Sequence, residues 1–348
     1  MLLRFPVRAV LAATVAAALL VSCAEAPPPV ITPPPPAAPT VSLSPKLIEL
    51  AAAYRGYMTR TTAITPDFAD GAGVARSVQV GASYEPNQLV RGAIAYSAVV
   101  ALQDKAFVEG VRVYAKDPVQ RRQIAYEIMK DPAYAVGISG SDSAAGLVIA
   151  TLGGDAQRLY DQGKAIKQAA YDIQKQPWSK AEVASRDVRL AGAKSVSATA
   201  MMGDVAETAR LQQASTGVAS LGLTATAAPP PYTPTVIRGL AIAALAVLGE
   251  ATDANAEQLT ALTHEPNIGM CMSTSKLNLY QCLAVSRPNY EDVFCLGQHV
   301  MMDTGRCVIR AAGLPEPYEA RYIPDAKTIA KGMPTKKSPA VKKGKRKS

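Results

Sequence analysis

Histidine is almost missing from this chain, with only His264 and His299 in 348 residues. That scarcity excludes any centre built on several imidazoles, whether a metal site or a histidine relay. Aromatic side chains are few as well, with four Phe and one Trp, so the interior has to be assembled from Ala, Val, Leu and Ile. Small core residues bury less area each but let elements approach closely, which makes stability a matter of many short contacts. Strand patterns are nearly absent, and only residues 77–82, where Val78 and Val80 alternate, read as a strand. A basic globular face is missing despite the formal charge of +9. Nine of the 37 Lys and Arg residues stand in residues 326–348, where there is no acid; without them 28 basic side chains face 28 acidic ones. The excess is a terminal property, and a nucleic-acid-binding face on the folded body is excluded.

What is present begins at the N-terminus. Arg4 and Arg8 flank the start of an apolar run over residues 9–21, shorter than the ~20 residues a bilayer span needs. The run ends in Leu20-Val21-Ser22-Cys23. This pattern resembles the lipobox of bacterial lipoproteins, and the resemblance covers the signal segment alone. It implies that residues 1–22 are a signal peptide and that Cys23 becomes the new N-terminus, acylated on sulfur and nitrogen. Each buried CH₂ of those chains contributes ~0.8 kcal/mol, so several chains make a stable membrane anchor where one would not. By the same resemblance, Ala24 after the cysteine directs the protein to the outer membrane. Ordinary secretory cleavage after Ala24-Glu25-Ala26 is the competing reading, and it leaves Cys23 without a purpose. Both readings export the protein. Residues 23–43 then form a linker in which PPPVITPPPPAAPT excludes a helix and favours polyproline II, reaching roughly 43 Å at ~3.1 Å per residue.

The remainder divides into a main helical domain (44–214), an Ala/Thr/Pro-rich linker (215–232), a C-terminal helical region (233–323) and a polybasic tail (324–348) expected to be disordered. Ser44-Pro45 sets an N-cap before a Pro at the first helical position, and Leu47, Leu50, Ala51, Tyr54, Tyr57 and Met58 recur at helical spacing to about Thr61. Asp117-Pro118, Asp131-Pro132 and Thr233-Pro234 repeat that punctuation. Residues 88–104, 144–152, 155–175 and 179–213 read as helices, and 236–248 as a buried core helix, too short to span a membrane and interrupted by Arg238. The fold class is all-α, a multi-helix bundle.

Besides Cys23, four cysteines fall within 37 residues: Cys271, Cys282, Cys295 and Cys307. In an exported chain an even cluster reads as two disulfides, with three possible connectivities. Residues 275–285 and 290–302 read as helices broken at Arg287-Pro288-Asn289, the second stopping near Gly305. On one helix Cys271 and Cys282 lie roughly 16 Å apart, beyond the ~7 Å between Cα atoms that a disulfide tolerates. Folding the chain at 288–289 instead sets Cys282 opposite Cys295 and Cys271 opposite Cys307. The expectation is a C-terminal αα-hairpin stapled by those two nested pairs. A metal site recruiting His264 or His299 is the rival, but only Cys295 and His299 approach a ligand spacing, so no metal or other cofactor is expected.

The search for catalytic patterns is mostly negative. There is no G-x-S-x-G elbow and no C-x-x-C. Ser273-Thr-Ser-Lys276 matches S-x-x-K but lacks a K-T-G partner and is a chance match. The Gly/Ser stretch 137–143 lacks a P-loop lysine and reads as a turn capping the helix that follows. Asp67, Asp70, Glu85 and Asp104 are the candidate paired carboxylates of a cell-wall hydrolase or transferase. Tyr54, Tyr57, Tyr96, Tyr114 and Tyr126 read as core-edge residues rather than a sugar platform. The function expected is therefore a non-catalytic structural or binding role in a lipid-anchored envelope protein, with a carboxylate enzyme and a periplasmic small-ligand receptor as alternatives. In the tail, Lys336, Lys337, Lys342, Lys343, Lys345, Arg346 and Lys347 are expected to contact anionic surfaces such as peptidoglycan or lipopolysaccharide, each cation contributing about 1 kcal/mol. Export removes nucleic acid as a partner. If Cys23 carries the anchor, Cys23→Ala leaves the protein exported but moves it from the detergent phase to the aqueous phase in a partitioning assay; unchanged partitioning rejects the lipobox reading.

Overall fold

The computed structural model describes residues 39–319, so Cys23 with its signal segment and the basic residues from Lys336 to Lys347 lie outside the described residues. The described chain is built of helices: α1 Pro45–Thr62, α2 Gly71–Ala82, α3 Pro86–Ala101, α4 Lys105–Ala115, α5 Pro118–Lys130, α6 Ser141–Asp172, α7 Pro177–Lys180, α8 Arg186–Ala198, α9 Val205–Ser215, α10 Pro234–Val247, α11 Ala256–Leu262, α12 Pro266–Val285, α13 Asn289–Cys295 and α14 Asp303–Ala312. It contains no strand among the described residues, only one isolated bridge between Glu182 and Pro288. The protein is all-α.

Capping explains where many of these helices start. Glu85, Asp117, Thr233 and Glu265 each precede a Pro and accept hydrogen bonds from first-turn amides of α3, α5, α10 and α12. Proline has no N–H to satisfy at that position, and the preceding side chain answers the amides left over. Asp131-Pro132 is an exception, opening only a 3₁₀ turn over Pro132–Gly137. Gly137 and Gly140 follow closely there, and Gly140 adopts φ 81°, which ends the local helical run before α6 begins.

Four sequence expectations are corrected. Residues 77–82 are the end of α2 rather than a strand, because Val74, Val78 and Ala82 recur at i, i+4 and all are buried. Residues 144–152 and 155–175 are not two helices: α6 runs for 32 residues straight through Gly153-Gly154. Two mid-helix glycines cost roughly 1 kcal/mol each, less than the burial of Leu152, Ala156, Leu159, Tyr160 and Ile166 returns. Residues 179–213 are instead broken into α7, α8 and α9. Finally, 215–232 does not separate two domains. It lies on α6, where a β-carbon at Gly146 would collide with the Thr226 carbonyl oxygen, and α10 beyond it packs against α3. From Gly239 to Val247 every α10 position is buried, as is Leu248 after it, so this element is the centre of one core and not the start of a second domain. Arg238 at its edge donates to the Ala261 and Leu262 carbonyls, capping the end of α11.

The C-terminal region is the expected stapled hairpin. Cys271 and Cys307 have Cα atoms 5.8 Å apart, and Cys282 and Cys295 5.7 Å apart, both bonded. Its second limb does not stop near Gly305. It passes from α13 through a π-helical stretch, Leu296–Met302, into α14, and ends where Gly313 takes φ 78°. Gly305 sits inside the helix because Tyr160 of α6 packs against it, with 3.1 Å left for a β-carbon.

The turn of the hairpin is held by buried charge. Arg189 of α8 reaches both oxygens of Asp292 at 2.6 and 2.7 Å and also donates to the Leu283 carbonyl. Ser286 Oγ adds a third bond to Asp292 at 2.7 Å, and Arg186 donates to the Ala284 and Ser286 carbonyls. These arginines answer the last carbonyls of α12, while burial pushes the Asp292 carboxyl above its ordinary range against the pull of Ser286 and Arg189. Asp292→Ala leaves a buried guanidinium uncompensated and is expected to cost about 3–5 kcal/mol in urea unfolding, whereas Arg189→Met/Asp292→Leu together restores most of that loss. Equal losses in the single and double variants reject the ion pair as the fastening.

Candidate functional site

The largest recess among those described is a groove of about 890 Å³ formed by the first turns of α1 and α3, the segment 198–203 and one face of α9. Its floor is apolar, with Ile48 and Leu50 from α1, Met201, Met202 and Val205. Lys46, Glu49, Glu85 and Arg91 stand among them as its charged groups. The groove exists because the helix expected over 179–213 breaks between α8 and α9, letting an extended segment cross from one to the other. Gln88 holds that segment in place: its Nε2 donates to the Met201 carbonyl at 2.8 Å and its Oε1 accepts from the Met201 amide at 2.7 Å. Met201 is buried as a result, while Met202 and Val205 are 77% and 85% exposed beside the groove. Neither the break nor the groove was anticipated from the sequence. The signal was there in Asp204-x-x-Glu207, a capping pattern, and Asp204 does accept from the Ala206 and Glu207 amides.

A second assembly is sealed from water. Tyr84 Oη lies 3.1 Å from Thr304 Oγ1 and 3.4 Å from Ser275 Oγ, and Ser275 Oγ donates to the His299 carbonyl at 2.6 Å. Lys276 is 4% exposed; its Nζ donates to the Ala82 carbonyl at 2.7 Å and stands 3.3 Å from the centroid of the Tyr84 ring. Burial holds the Lys276 amine well below its ordinary range, with Glu85 pulling the other way, and pushes the Tyr84 phenol up to about 12. The lysine therefore plugs the C-terminal end of α2, where carbonyls lack partners. Ser273 does not join it: its hydroxyl donates to Gly269 on the exposed side of α12, so the S-x-x-K match brings together no dyad.

The residues singled out for chemistry are dispersed. Asp70 accepts from the Gly73 amide, Glu85 from the Asn87 and Gln88 amides, and Asp104 from the Phe107 amide and Ser143. Three of the four candidate carboxylates are thus helix caps, and Asp67 is exposed in the loop before α2. Tyr54, Tyr57 and Tyr96 are buried, Tyr114 is half-buried, and Tyr126 alone of the five is exposed, so they present no shared platform. His264 is exposed. His299, in the π-helical stretch, has Nδ1 2.9 Å from Asp303 Oδ2. Burial raises the Asp303 carboxyl, but His299, Gln298 and Arg306 together bring it below its ordinary range, which makes it an ion-pair partner and a poor proton acceptor. Cys295 is spent in a disulfide, and no three His, Cys, Asp or Glu side chains converge as metal ligands among the described residues.

Lys276 generates a pH dependence of unusual sign. Its amine gives up the proton at lower pH when folded than when unfolded, where ~10.4 is ordinary, so the unfolded state binds more protons between the two values. Stability is therefore expected to rise with pH as the folded amine deprotonates, and Lys276→Met to remove that rise, read as urea midpoints from about pH 7 to about pH 9. Parallel pH profiles in the two proteins contradict this assignment.

Comparison of the chain with protein-family models, with curated proteins and with solved structures gives no match, so the groove and the buried polar assembly have to be read from their own geometry.

Proposed function

We propose that this chain is an exported, lipid-anchored envelope protein whose helical body binds a small amphiphile in the groove between α1, α3 and α9 and transforms nothing. One observation carries the reading: this groove has an apolar floor and no His, Cys, Ser or Asp among its lining residues. At about 890 Å³ it falls within the ~300–1,000 Å³ range of small-molecule pockets rather than the scale of a protein interface. Met201 and Met202 supply flexible, polarizable surface that adapts to irregular apolar shapes, and Lys46 and Arg91 supply cations for a polar end. Glu85 lines the groove too, but its two oxygens are engaged by backbone amides at 3.0 and 2.6 Å, which leaves Glu49 without a second free carboxylate for hydrolytic chemistry. The basic tail, with Lys336, Lys337, Lys342, Lys343, Lys345, Arg346 and Lys347, supplies a second, reversible contact to anionic envelope surfaces.

The test is titration of the purified protein with an environment-sensitive fluorescent fatty acid. Met202→Asp and Val205→Asp change exposed side chains, so each is expected to keep the wild-type unfolding midpoint while weakening probe binding by about tenfold, the effect of ~1.4 kcal/mol. Probe affinity unaffected by either variant rejects the groove as the binding site. Release of fragments from isolated peptidoglycan by the wild-type protein rejects the non-catalytic reading.

A further inference from the structure

On the face of α9 turned away from the groove, three arginines converge on a different recess of about 310 Å³: Arg55 of α1, Arg158 of α6 and Arg210 of α9. Two carboxylates stand with them. Asp155 is 3% exposed and accepts from Arg55 at 2.6 Å and from Arg158; Glu207 accepts twice from Arg210, at 2.8 Å each, and lies 3.6 Å from Arg55 Nε. Three guanidiniums against two carboxylates leave one positive charge uncompensated inside a half-enclosed site.

The donor inventory points the same way. Each guanidinium carries five N–H donors in a planar fork, and the carboxylates take only a minority of them. Those of Arg158 and Arg210, whose side chains are 65% and 44% exposed, remain open to the recess. Of the six buried side-chain polar atoms without a hydrogen-bond partner among the described residues, one, Arg55 Nε, belongs to a residue that lines this recess. A buried donor left unpaired costs free energy that a fold ordinarily avoids, and its coincidence with unspent guanidinium donors marks a place organised for an acceptor. A cluster serving stability alone would match its charges and close; here Asp155 and Glu207 orient the forks and leave their outer edges unused.

We infer that the Arg55–Arg158–Arg210 recess is a binding site for a small oxyanion, a carboxylate or phosphate group, distinct from the apolar groove and independent of what fills it. Planar, bidentate recognition is what arginine offers such groups, and the polar wall of Thr151 and Thr224 suits a hydrophilic ligand.

The experiment titrates the purified protein, labelled with ¹⁵N-arginine, with sodium phosphate and with sodium succinate, each against sodium chloride at matched ionic strength. Either oxyanion is expected to bind once per chain and to shift the Arg55 Nε–Hε resonance, which chloride leaves in place. Arg158→Gln/Arg210→Gln changes exposed side chains and keeps the unfolding midpoint, yet is expected to weaken binding by about tenfold or more, whereas Arg112→Gln elsewhere on the surface has no effect. Binding of succinate alone assigns a carboxylate ligand, and of phosphate alone a phosphate ligand. No shift of the Arg55 resonance with either anion, or equal affinity in the double variant, overturns the site.

Discussion

The rest of the structure depends on one backbone-to-backbone contact. Where α6 meets the π-helical stretch after α13, Gly163 and Gly297 face each other so closely that a β-carbon on Gly297 would lie 2.7 Å from the Gly163 carbonyl and 2.5 Å from the Lys167 amide. A β-carbon on Gly163 would lie 2.6 Å from that of Met301. Close approach of this kind is how a chain poor in large side chains gains packing density, since dispersion falls steeply with any gap. It also explains the hairpin's position. With Gly163, Gly297 and Gly305 in place, the second limb of the hairpin lies along α6, and the disulfides then tie α12 to that limb.

Charge is spent economically. Cationic side chains answer carbonyls at helix ends: buried Arg189 and half-buried Arg186 at the end of α12, buried Lys276 at the end of α2, half-buried Arg238 at the end of α11. Carboxylates do the complementary task at helix starts, as Asp70, Glu85, Asp104, Asp117 and Glu265 do. Most of what looked like chemistry in this sequence is therefore capping. The sites that remain are those whose polar groups are not consumed in this way, and both flank α9, the short helix formed where the sequence promised a longer one.

This arrangement bears on function through rigidity. The groove is walled by helices anchored in the core and by a segment pinned through Gln88, so its shape is held by the fold itself. A pre-formed recess limits the ordering cost of binding. Among the described residues the buried lysine faces a carbonyl and an aromatic ring, and Asp303, which pairs with His299, is also held by Gln298 and Arg306.

The amino-acid sequence by itself determined the helical class, the X-Pro start of α1 and the proline-led starts of α5 and α10, and the hairpin with its nested cysteine pairs. All of these follow from local periods and spacings that act over a few turns, or from one fold-back point with fixed helical rise. The tertiary structure alone decided whether Gly153-Gly154 breaks a helix, whether 215–232 separates domains, and where the recesses lie. Those outcomes depend on what stands opposite: Leu152 and Ile166 have a core to enter, Gly146 has Thr226 against it, and Arg55, Arg158 and Arg210 share a site although they come from three different helices. Local propensities of about 1 kcal/mol decide an element only where burial is indifferent, and in a core this closely packed it seldom is.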